Sequence, residues 1–423
     1  KHKSRQITHF NFLHMKKFSL FLMLGAAFLT FNACKSELDL DKELKFSKLS
    51  VEEQKQKIEE SGTEFIDAME GMQETQAMTT MMNMLTMTGT EAFSAPMQRF
   101  SADIQNARKD AFSNFDKQMR VSYIDSEVWG EYEYNFDTEE MEKTESLVNK
   151  IILRFPATAT ATKNNAVITI TYEESSVVVP DSDGEKYPSK ITYTMTVDSK
   201  EVMSAEFSGT YYSDGSPKKV SQMLKIDDYK WTAEIANDQK TASESYEFKK
   251  GSKTMIKSVA EVSGTLKADE LQDAIDNESP QDAIEKFAVY FQVMNVAVKG
   301  GTSDFKKMAD EGQALDSEKL SDKEYAEKTA EILNKYMVCT AFFVDDNRKF
   351  ADVELYVVEE VDQYTYYDWY QEKYVTETHY YYNLAPRFVL SDGSKVDAQE
   401  YVQEGFEDLI KQLQDMTGSY DSK

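Results

Sequence analysis

Six tyrosines near the C-terminal end offer the clearest chemistry in the chain. Tyr364, Tyr366, Tyr370, Tyr374, Tyr380 and Tyr382 share parity, while Tyr367, Trp369 and Tyr381 have the opposite parity. A continuous strand alternates its side chains, so these six would line one face. Tyrosine carries a flat apolar ring with a polar rim, which suits stacking against a sugar, a peptide or an apolar ligand. The competing reading is a tyrosine-rich sheet face covered by the C-terminal helix.

Other reactive residues are sparse. His2, His9 and His14 precede Met15, which leaves His379 alone in the body of the chain, inside an aromatic strand. A lone strand histidine reads as structural rather than as a general base. Cys339 sits in the apolar run Met337-Val338-Cys339-Thr340-Ala341-Phe342-Phe343, with no basic neighbour to lower its pKa, and reads as a small hydrophobe. Asp181-Ser182-Asp183-Gly184 resembles the start of a calcium loop, but Thr192 stands where the twelfth-position carboxylate belongs, so a turn is expected. Met69, Met72, Met78, Met81, Met82, Met84 and Met87 carry thioethers that could suit Cu(I), yet no histidine lies near them. They read as a pliable helix face. With 75 Asp and Glu residues, carboxylate pairs discriminate nothing. No catalytic residue, metal or cofactor is expected.

The N-terminal end has a different character. Its first 33 residues contain Lys1, Lys3, Arg5, Lys16 and Lys17 but no Asp or Glu. Met15-Lys16-Lys17 reads as a start with a basic n-region, residues 1–14 then being an upstream extension. Phe18 to Phe31 is an apolar run shorter than the roughly 20 residues a membrane-spanning helix needs. It fits an export signal, residues 1–33. Asn32-Ala33-Cys34-Lys35-Ser36 follows directly. This arrangement resembles the lipobox of bacterial lipoproteins, in the relaxed form of Bacteroidota. The resemblance implies cleavage before Cys34, lipid attachment to its sulfur, and an outer-membrane location on the periplasmic or the cell-surface side. The membrane is thus an expected partner, through acyl chains that contribute about 0.8 kcal/mol per buried CH₂.

Periodicity gives the elements that must position these residues. Residues 34–48 read as a polar, lipidated tether. Ser50-Val51-Glu52-Glu53 is a capping box that opens a helical segment running to about residue 118, with a break expected at Ser61-Gly62. From about Tyr123 the period becomes two. Thr192, Thr194 and Thr196 alternate with Ile191, Tyr193, Met195 and Val197, and similar alternation continues to about residue 266. Short turns such as Asp198-Ser199 and Asp227-Asp228 predict hairpins and an antiparallel meander. Residues 281–298 are apolar nearly all round and predict a buried helix ended by Gly300-Gly301. Ser321-Asp322-Lys323-Glu324 caps a further helix, strands resume at 337–344, 351–361 and 364–390, and Asp397 caps a last helix. The expected fold is α+β: antiparallel meander sheets covered by helices, arranged as one or two α+β units, with half-barrel curvature as a variant. The domains would span 49–267 and 268–423.

Charge narrows the function. The chain carries 48 Lys and Arg against 75 Asp and Glu, a net charge of −27. Phosphate recognition needs clustered cations, so nucleic acid is not an expected partner. The expectation is a non-enzymatic envelope lipoprotein with a binding or scaffolding role. The alternatives are an apolar-ligand carrier lined by Ile191, Tyr193, Phe207 and Trp231, and a glycan-binding or glycan-active protein using the tyrosine face.

Overall fold

The computed structural model describes residues 38–87, 129–179, 184, 186–277, 279–317, 319–368 and 373–403. The expected α+β fold is corrected: sixteen strands form a single sheet order that dominates the structure, with few helices beside it. The sheet is mixed, because β1 (Gly130–Asn135) pairs antiparallel with β2 (Glu140–Glu145) and parallel with β3 (Lys150–Phe155). Among the described residues the chain divides into two compact units, one within 65–261 and one of 38–64 with 262–403.

In the first unit, β3 to β10 follow one another in chain order: β4 (Ala166–Val178), β5 (Lys186–Val197), β6 (Lys200–Tyr211), β7 (Pro217–Ile226), β8 (Tyr229–Asn237), β9 (Thr241–Lys250) and β10 (Lys253–Gly264). Tight turns make this sequential order possible. Asp198 and Ser199 both adopt positive φ, +46° and +68°, between the paired Val197 and Lys200. Such a two-residue left-handed turn matches the twist of the strands that it joins. Register then places Ile151, Ile170, Tyr193, Ala205 and Leu224 at matched positions on one face. Their polar neighbours Thr171 and Thr192 are paired on the other face, with hydroxyls 2.5 Å apart.

The apolar face is covered by α2 (Gln76–Met87), and the end of α1 (Val51–Gln73) meets it at Tyr229. Ala77 and Met84 enter the core with Ile168, Met195 and Phe207, and Met78 and Met81 pack at its margin. The Tyr229 hydroxyl, fully buried, donates to the Ala68 carbonyl at 2.7 Å. The methionine run is therefore largely a packing face, although Met82 remains exposed. Ser61 does not break α1. Its hydroxyl bonds back to the Lys57 carbonyl at 2.9 Å, and the helix runs on to Gln73.

The second unit corrects the expected helix at 281–298. Pro280–Asp282 is one 3₁₀ turn, followed by β11 (Ile284–Val293) and β12 (Val296–Thr302). An apolar run without a polar face fits a buried strand as well as a buried helix. Here Val289, Tyr290, Phe291 and Val293 favour the strand. Met294 takes φ +52° at the turn, where Gln292 Nε2 donates to its carbonyl at 2.6 Å and Tyr290 Oη braces Gln292 at 2.7 Å.

Helices α3 (Ala268–Asp276), α4 (Phe305–Gln313) and α5 (Asp322–Tyr336) flank the strands, with α5 opened by the Ser321–Glu324 capping box. β13 (Val338–Phe343), β14 (Arg348–Asp368), β15 (Lys373–Val389) and β16 (Lys395–Asp397) complete the sheet, and α6 (Ala398–Gln403) follows. The core of this unit joins Phe343, Phe350, Phe388 and Tyr401 in successive ring contacts of 5.0, 5.7 and 5.3 Å. The expected polar tether is bound to the unit from residue 39 onward. Buried Lys299 donates to the carbonyls of Asp39 and Lys42 at 2.7 and 3.1 Å, and Phe46 bridges to Lys349.

Candidate functional site

Five of the six tyrosines lie on the longest hairpin among the described residues. β14 and β15 pair without a register shift from Asp352↔Val389 to Asp368↔Lys373. The flanking strands stop early: β13 pairs with β14 only as far as Asp352, and β16 reaches β15 at Arg387–Val389. Beyond those points the hairpin continues as a two-stranded ribbon. Every residue from Glu359 to Tyr366 is exposed.

A hairpin reverses the chain, which changes the parity argument. Tyr364 pairs with Glu377 and Tyr366 with Val375, so the even residues of β14 share a face with the odd residues of β15. Tyr364 and Tyr366 therefore stand on one face with Glu377, His379 and Tyr381. Tyr374, Tyr380 and Tyr382 stand on the opposite face with Tyr367. The expected single face of six tyrosines is corrected to two faces, and Tyr370 lies outside the described residues. The strand also runs unbroken through 361–364, where a gap was expected.

The first face is held by a carboxylate. Tyr364 and Tyr366 stack at 5.7 Å, and both hydroxyls donate to Glu377, at 2.7 and 2.8 Å. These two donors keep the Glu377 carboxyl below its ordinary value. His379 stacks on Tyr364 at 5.2 Å, with Nε2 3.6 Å from Glu377. On the second face, Tyr367 and Tyr374 meet edge to face at 5.2 Å, and Thr365 and Thr376 share a hydrogen bond of 2.9 Å. Two-stranded hairpins are marginal alone in water. Cross-strand pairs of this kind contribute roughly 0.2–1 kcal/mol each, and several in series hold the ribbon.

The solvent-facing aromatic area is large. Tyr364, Tyr366, Tyr374 and Tyr380 retain 45%, 38%, 75% and 53% of their surface. Charge surrounds them: Glu359, Glu360, Asp362 and Glu377 against Lys373. The arrangement can stack on a flat or cationic group and pair ionically beside it.

The remaining candidates sit elsewhere. Desolvation, with the Asp352 carboxylate nearby, pushes the Cys339 thiol up to about 12, away from the thiolate that a nucleophile requires. Ile191, Tyr193 and Phe207 are buried in the first unit's core with Trp231 packed against them. Cys34 and Asp181 to Asp183 lie outside the described residues. Among the described residues no group of three His, Cys, Asp or Glu side chains is placed to hold a metal ion, and no helix is long and apolar enough to cross a membrane.

Sequence reasoning missed Asn334, whose side chain ends the edge pairing of β14. Its amide donates to the Leu355 carbonyl at 2.7 Å, and its oxygen accepts the Leu355 N–H at 2.8 Å. Nothing in the local pattern around Asn334 marks this role. No protein-family model, no curated protein and no solved structure matches the chain.

Proposed function

We propose that the chain is an exported lipoprotein, tied to the outer membrane through Cys34, with a binding rather than a catalytic role. The observation that carries the binding role is the ribbon of exposed tyrosines beyond Asp352 and Arg387. Soluble proteins rarely leave large aromatic surface open without a partner for it. The export reading rests on the basic start at Met15-Lys16-Lys17, the apolar run 18–31 and Cys34 directly after it.

The anchor would be short. Four residues lie between Cys34 and Asp39, where Lys299 takes hold, and an extended chain covers at most about 3.6 Å per residue. Metabolic labelling with palmitate tests the anchor. Wild type takes up label and Cys34→Ala does not; equal uptake in both would remove the lipoprotein reading.

A further inference from the structure

We propose that the outer edge of β14 beyond Leu355 receives an extended, arginine-rich peptide as an added strand. This deepens the binding role given above to the ribbon. Leu355 commits its N–H and carbonyl to Asn334, so odd-numbered residues of β14 turn their backbone groups away from β15. The register has no shift along the hairpin, and the same orientation therefore holds for Glu359, Val361, Gln363 and Thr365. Among the described residues no strand other than β15 pairs with β14 past Asp352.

An open edge is a template for another strand, and natural edges are commonly blunted with Lys or Pro. Neither occurs between Tyr356 and Asp368. Addition at such an edge takes its affinity from main-chain hydrogen bonds and its specificity from alternate side chains. The alternate side chains here are Glu360, Asp362, Tyr364 and Tyr366, all on one face. A strand laid beside them meets two carboxylates and then two aromatic rings. Arginine suits both surroundings, because its guanidinium pairs with carboxylates and stacks on rings. A second copy of the chain would set Glu359, Glu360 and Asp362 beside an equally acidic strand, which like-charge repulsion opposes. β15 is less fitting, with Glu377 offset by Lys373.

The test uses the full chain carrying Cys34→Ala, so that binding is read independently of lipid attachment. The probe is a capped ten-residue peptide of alternating Arg and Thr, fluorescently labelled and titrated at low ionic strength. The wild-type hairpin binds it. Methylating the amide nitrogens at alternate residues, which keeps every charge, weakens binding about fivefold or more. Replacing Arg by Gln weakens it as well, and so does added salt. Val361→Pro, which removes one outward N–H and none that faces β15, weakens binding about fivefold or more. Hydrogen exchange across β14 and β15 checks that this variant keeps its hairpin, and the methylated peptide needs no protein variant at all.

Equal binding by the methylated peptide would overturn strand addition, and equal binding by the Gln peptide would overturn the cationic partner. Self-association abolished by Val361→Pro would assign the edge to a second copy instead. If the arginine peptide fails while an oligosaccharide binds and Tyr364→Ala abolishes that binding, this inference falls and the binding role stands. If neither ligand binds, both fall.

Discussion

The side chain of Asn334 acts as one residue of a missing strand beside Leu355. It satisfies both backbone groups of Leu355, at 2.7 and 2.8 Å, just past the point where β13 stops. α5 thereby closes the sheet edge at one residue and leaves the residues beyond it to the hairpin alone. Asn334→Ala is expected to cost about 1–2 kcal/mol, since two hydrogen bonds to exposed backbone contribute about 1 kcal/mol or less each. Hydrogen exchange at Leu355 accelerates more than at Ile168 in the other unit. A uniform change across both units would contradict the local role.

The stacked pair Tyr364 and Tyr366 fixes Glu377. Replacing both by Phe removes the two donors and raises the Glu377 carboxyl toward its ordinary value. Carbon-detected NMR titration of the Glu377 carboxyl measures this. An unchanged titration would show that the two hydroxyls do not hold it in solution.

Glu244 lies on β9 opposite Ile235, and desolvation pushes its carboxyl up to about 9. The sign follows from proton counting. Between an ordinary glutamate value near 4.5 and about 9 the folded chain holds a proton that the unfolded chain has released. Stability therefore falls as pH rises through this window, by at most about 3 kcal/mol at pH 7 and less for the exposed fraction of the side chain. Glu244→Gln flattens the pH dependence of Tm between 5 and 9 and raises Tm at the upper end. A parallel shift at all pH values would reject the assignment.

Tyr229 joins helix to sheet in the first unit through its bond to the Ala68 carbonyl. Tyr229→Phe keeps the ring that stacks on Phe248 at 6.1 Å and loses the buried hydrogen bond. The expected cost is about 1–2 kcal/mol in denaturant unfolding, against about 3–5 kcal/mol for Tyr229→Ala. Equal costs would place all of the stabilisation in the hydroxyl, and a cost-free Tyr229→Phe would place it all in packing of the ring.

Lys299 secures the segment after the expected lipid anchor. Burial lowers its pKa, and its ammonium is paired with two carbonyls rather than a carboxylate. Lys299→Met keeps an apolar stem of similar length, so global stability changes little. Limited proteolysis within residues 38–43 is expected to speed up, because the carbonyls of Asp39 and Lys42 lose their donor. Unchanged cleavage would show that Leu44 and Phe46 suffice to hold the segment.

The sequence by itself determined what local chemistry controls. Strict alternation from Ile191 to Val197 marks a strand because period two needs no knowledge of the partner. Asp198-Ser199 marks its turn, and Ser321 with Glu324 marks a helix start through bonds made within four residues. Local pattern could not decide the run 284–302, since burial on all sides erases the period that separates helix from strand. It could not decide the tyrosine faces either. Parity holds along one strand, but the pairing of Tyr364 with Glu377 comes from the chain reversal between Asp368 and Lys373, which places equal parities on opposite faces. Nor could it decide that sixteen strands share one sheet order or that Asn334 meets Leu355, because both depend on hydrogen bonds between residues far apart in the chain.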